Sequence, residues 1–162
     1  MTTTTSALDH SLTTRILAEG YGPGAWHGSD LKAALADVTV PAAYWRPGPG
    51  RHNIAEIALH HAWCVRSVIS KLTGKAPAPE PFVLEGEDWF EVSNERRVTW
   101  PAITTLVAEQ QRWLVQASEA IAAGGITSPL PERERFDLTL GITCHAIYHA
   151  GQIQLLKVLG AR

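Results

Sequence analysis

The sequence predicts an all-α protein, an antiparallel helical bundle, and three observations carry that prediction. Apolar residues recur at helical spacing over several long segments. Glycine- and proline-rich breaks separate those segments, with capping residues at their edges. No stretch sustains the period-two alternation that a half-buried sheet requires.

Leu8–Glu19 has helical spacing and stops at the glycine-rich run Gly20–Gly28. Ser29 and Asp30 offer N-caps for a helix near Leu31–Val38. Pro41 to Gly50, with its Pro-Gly-Pro-Gly, is expected to lie outside regular structure. Asn53 should cap a long helix that ends at Gly74, a residue free to take the left-handed turn that closes a helix. A proline-rich stretch, Ala76–Pro81, and a loop carrying Asp88, Trp89 and Phe90 follow. Thr99 and Pro101 open the next helix, which should run to about Ala123 and stop at Gly124–Gly125. After the Pro129–Pro131 loop, a last helix should cover about Glu134–Leu159.

The 162 residues suit one domain spanning 1–162, with 1–9 expected to be flexible. A net charge of −2 gives no basic field for nucleic acid or an anionic membrane surface. Charges or histidines interrupt every apolar stretch before it can span a bilayer. Met1–Asp9 lacks the basic start and apolar middle of a secretory leader, so a cytoplasmic location is expected. Cys64 and Cys144 are too few for a disulfide framework and read as small reduced core residues.

The chemistry is expected in the last helix. His145 and His149 are four apart, which puts both imidazoles on one helical face, one turn apart. Leu138, Ile142, His145, His149, Gln152, Leu156 and Leu159 trace the apolar stripe that should face the core. Buried imidazoles need a partner on each ring nitrogen, and a shared metal ion supplies one for both rings. Ordinary hydrogen-bonded core histidines are the simpler alternative. A third ligand would come from HNIAEIALHHAWC, His52–Cys64. There the stripe Ile54, Ile57, Ala58, Val65, Val68 and Leu72 favours His61 as the inward residue over His60. Glu56, one turn before His60, is a candidate base or an ordinary helix charge. Three imidazoles would leave a position for water or substrate, as catalytic metal sites do.

Three segments together resemble the DinB-like (YfiT-like) superfamily: Asn53–Gly74 with its Leu-Thr-Gly ending, Asp88–Trp89, and HAIYHAGQIQLLK at His145–Lys157. The resemblance implies a four-helix bundle with a right-handed up-down-down-up course. It implies a divalent metal, zinc or nickel foremost, on three histidines. Two of these map onto His145 and His149, and counting back from Gly74 maps the third onto His60, with His61 as the alternative. The family's aromatic pair after that histidine is here Trp63 followed by Cys64.

By the same resemblance the expected function is a metal-assisted S-transferase joining a low-molecular-weight thiol, of the bacillithiol or mycothiol type, to electrophilic small molecules. Tyr148 and Gln152 are candidates for positioning the substrate. Metal-dependent hydrolysis, with Glu56 as base, is a second reading. A non-catalytic, stress-related metal-binding bundle is a third. The resemblance also implies a homodimer.

Overall fold

The computed structural model describes residues 5–161, with side chains from residue 12 onward. Residues 1–4 of the segment expected to be flexible lie outside the described residues, whereas 5–9 belong to the first helix. The described chain is all-helical: α1 Thr5–Tyr21, α2 Leu31–Leu35, α3 Val40–Tyr44, α4 Ile54–Thr73, α5 Trp100–Ala122 and α6 Glu132–Gly160. No helix among the described residues is long and apolar enough to cross a membrane.

Local chemistry sets the ends of α4. Asn53 caps the first turn by accepting from the Glu56 N–H, and the Glu56 carboxylate returns the bond to the Asn53 N–H. At the other end Gly74 takes φ +68°, where a side chain would be strained. Two expectations fail in the first third. Pro41 belongs to α3 rather than to irregular chain, and the helix expected near Leu31–Val38 is only Leu31–Leu35. Thr39 caps α3, and Pro41 falls in its first turn, where the missing N–H would have had no helical partner.

The four long helices form the body, with α1 and α4 each packed against both α5 and α6. Buried apolar side chains form two clusters. One gathers Leu31, Ile54, Leu59, Ile103, Val107 and Ile153, and the other gathers Leu17, Val65, Leu72, Leu114 and Ile142. A Cβ at Gly20 would lie 2.8 Å from the Thr143 carbonyl oxygen, so α1 approaches α6 closely there. Gly74 lies against Pro129, bringing the end of α4 to the start of α6.

The connection 74–99 folds back over α4. Arg66 holds it through the Pro79 carbonyl and Glu80, and Asn53 through the Val92 carbonyl. Trp100 donates to the Val38 carbonyl and Tyr44 to that of Val98, which ties α2, α3 and the start of α5 together.

Candidate metal centre

Four histidines meet where α4 passes α6. His145 Nε2 lies 3.0 Å from His60 Nε2 and 3.0 Å from His149 Nε2. On the other edge of the same ring, His145 Nδ1 lies 3.2 Å from His61 Nδ1. Both α4 histidines are therefore buried and both reach His145, but at opposite edges of its ring. The apolar stripe of α4 did not anticipate this for His60. The connection 74–99 covers that flank: Trp89 stacks on the His60 ring at 4.0 Å, and Asp88 meets His60 Nδ1 through its carbonyl at 2.9 Å and its carboxylate at 3.0 Å. On α6, His149 lies among the inward residues Ala146, Ala150 and Ile153, while His145 is half-buried at the edge.

The remaining ring nitrogens are also engaged. His149 Nδ1 donates to Gln152 Oε1 at 2.6 Å, and the Gln152 amide nitrogen donates to the Tyr148 hydroxyl at 3.1 Å. Gln152, considered above for substrate positioning, thus orients a histidine, while the Tyr148 ring is 63 % exposed. An acceptor at Nδ1 holds a neutral imidazole in the Nδ1–H form and leaves a lone pair on Nε2. Asp88 does this for His60, Gln152 for His149, and His61 faces the same nitrogen of His145.

For three of these rings, His145, His149 and His61, the electrostatics favour the neutral form. Burial, then the neighbouring His149 and His60, pushes His145 down to about 4. Burial likewise pushes His149 to about 4, with His60 and His52 adding to it against the Gln152 hydrogen bond. Burial, reinforced by the surrounding imidazoles, drives His61 well below its ordinary value.

Cys144, expected in the core, is exposed, and Cys64, likewise expected there, is only part-buried. Cys64 offers a sulfur within 4.8 Å of ligand atoms of His60 and His145. Helical spacing from His60 was the one signal that could have found it. Its sulfur is 3.8 Å from His60 Nε2 and 3.9 Å from Nδ1. Being nearly equidistant from both nitrogens, it lies off the lone-pair axis of Nε2. Burial and the nearby Asp88 carboxylate push its thiol up to about 12, against a smaller effect of Lys71, so it is protonated at neutral pH.

Glu56 is buried away from this cluster and fully engaged. Its carboxylate pairs with Arg46, accepts the Val92 N–H at 2.9 Å and meets His52 Nδ1 at 3.1 Å. Burial alone would raise its pKa, but Arg46, Val92 and His52 outweigh that and lower it.

The donor set fits a divalent ion. Three Nε2 atoms on a tetrahedral zinc, with bonds of roughly 2.0–2.1 Å, would stand about 3.3 Å apart. The two 3.0 Å separations at His145 are near that spacing. A single proton between His145 and one neighbour would leave the other neighbour's lone pair facing it unsatisfied, a deficit that a shared cation would relieve.

A family model described as the DinB superfamily matches residues 25–153, which include all four clustered histidines. No curated protein and no solved structure matches the chain. Since the matched region covers most of the sequence, the chain belongs to the DinB superfamily.

Proposed function

We propose that this chain holds one divalent ion, zinc or nickel, through Nε2 of His60, His145 and His149. We propose further that it uses the ion to transfer a low-molecular-weight thiol, of the bacillithiol or mycothiol type, onto an electrophilic small molecule. The observation that carries the metal reading is the pinning of Nδ1 by Asp88 and Gln152, which turns the Nε2 lone pairs of His60 and His149 toward His145. A bound ion would supply Lewis acidity, stabilising the thiolate form of a thiol that reached it.

The chain's own residues do the rest. Asp88 and Gln152 orient ligand rings, and Trp89 shields one face of His60 from water. Tyr148 holds the Gln152 amide in place and leaves its ring at the surface for an incoming molecule. In the transfer, the thiol sulfur forms a bond to the electrophilic carbon, the thiol proton passes to solvent, and the leaving group departs with its electron pair. Hydrolysis with Glu56 as base has less support, because Arg46, Val92 and His52 already occupy its carboxylate.

The test is elemental analysis of wild type, His60→Ala, His149→Ala and Cys64→Ser, followed by a thiol-dependent assay on the loaded protein. Near one metal per chain is expected in wild type and in Cys64→Ser, with loss in both alanine variants. Loss in Cys64→Ser with retention in His149→Ala would exchange the sulfur for His149 in the ligand set. Metal binding without thiol-dependent consumption of any electrophile would leave a non-catalytic metal protein.

The same reading includes an up-down-down-up course for α1, α4, α5 and α6. It is supported by the approach of Gly20 to Thr143, of Gly74 to Pro129, and of Leu72 to Ser118 and Ile121 around a shared cavity.

A further inference from the structure

His61 is among the most deeply buried side chains, 1 % exposed, yet its Nε2 has no partner among the described residues. Its Nδ1 meets His145, Nδ1 to Nδ1 at 3.2 Å. Two neutral imidazole nitrogens at that distance share one proton, and there are two ways to place it. With the proton on His61 Nδ1, His145 must carry its own proton on Nε2. That proton would point into the space between His60 and His149, where a cation would have to sit. With the proton on His145 Nδ1, the His145 Nε2 lone pair is free. His61 then accepts through Nδ1 and carries its proton on Nε2, the atom left without a partner.

We propose that His61 is a positioning residue, not a ligand: it holds His145 in the Nδ1–H tautomer and so keeps His145 Nε2 open to the ion. This rests on the three-histidine reading above. It gives His145 the counterpart of what Asp88 gives His60 and Gln152 gives His149. It also accounts for the buried orphan, since an acceptor that must use Nδ1 leaves its Nε2–H facing apolar core. Partners of this kind outside the ligand set fix ring orientation and tautomer at metal centres, and losing one typically weakens binding by about 10–100-fold.

The test uses the full chain in three forms: wild type, His61→Leu and His61→Asn. An asparagine carbonyl oxygen sits near the place of histidine Nδ1 and accepts a hydrogen bond there, whereas leucine offers nothing. Imidazole ¹⁵N–¹H correlation spectra of the metal-free proteins read the His145 tautomer directly. Competition with a chromophoric chelator reads zinc affinity, and circular dichroism reads the fold. Wild type should show His145 protonated at Nδ1. His61→Leu should populate the Nε2–H form and lose about 10–100-fold in zinc affinity. His61→Asn should recover most of both.

A wild-type spectrum with the His145 proton on Nε2 overturns the proposal by itself, even if the leucine variant does not fold. So does an unchanged tautomer and affinity in a folded His61→Leu. Stoichiometric loss of zinc in both variants, matching His149→Ala, would make His61 a ligand and also overturn it. A wild type that shows the Nδ1–H tautomer yet takes up neither zinc nor nickel would sink the three-histidine reading while upholding the hydrogen bond from His145 to His61.

Discussion

The Glu56 carboxylate is 2 % exposed and answers to four groups: Arg46, His52, the Val92 N–H and the Asn53 N–H. Removing a buried charge that is this fully paired strands its partners, so Glu56→Ala should cost about 3 kcal/mol, measured by urea unfolding. Its pH signature follows from the sign of the shift. The folded-state pKa lies below the ordinary 4.5, so the stabilisation is fully present above that value. It is lost as pH falls through the lower folded value, because the unfolded chain takes up the proton first. Wild type should therefore lose stability more steeply than Glu56→Gln below about pH 4.5, and parallel acid-unfolding curves would contradict this. At this scale the sequence was informative in part. The four-residue spacing of His145 and His149 and the Asn53 cap were readable because both are local, whereas the sequence marked Glu56 only as a candidate base or helix charge and not as the other half of a capping box. The burial of His60 was not, because it depends on Trp89 and Asp88, 28 residues away for the latter contact.

Among the elements, the pairing of α1 with α6 depends on Gly20. A methyl group there would meet the Thr143 carbonyl at 2.8 Å and the Ala146 Cβ at 3.1 Å. Backbone cannot yield as a flexible side chain does, so the helices must separate. Gly20→Ala should cost about 1–3 kcal/mol despite alanine's better helix propensity, and a stability equal to wild type would show that α1 shifts freely. From the sequence, Gly20 was legible only as the start of a break. The helix runs one residue beyond it to Tyr21, because tertiary packing against α6 overrides local propensity. Similarly, α3 was hidden by the proline-rich run around it, whereas the long helices α4, α5 and α6 were legible from caps and spacing to within two residues.

For the molecule as a whole, an ion joining α4 to α6 links two helices that are far apart in sequence. Ligands that bind only the folded chain stabilise it by mass action, about 2.7 kcal/mol when present at roughly 100 times their dissociation constant. For a domain of this size that corresponds to a rise in Tm of about 5–10 °C. Scanning calorimetry with zinc should show such a rise in wild type and none in His149→Ala. An equal rise in both would mean that the ion binds elsewhere. The overall architecture was legible because helical periodicity repeats over many residues, while the path of 74–99 was not, because its anchors at Arg66 and Asn53 are individual long-range hydrogen bonds.

Trp89 lies face to face with His52 on one side, at 3.8 Å, and with His60 on the other, at 4.0 Å. This makes it a natural optical probe, an indole fluorophore in van der Waals contact with a candidate ligand ring. Open-shell Ni²⁺ quenches excited indole at short range, whereas closed-shell Zn²⁺ has no low-lying states with which to do so. Occupancy of the centre should thus be readable by light in the unlabelled protein, as dimming with nickel and restoration when zinc displaces it. Trp89→Phe, still binding nickel, should lose most of that response although five other tryptophans remain.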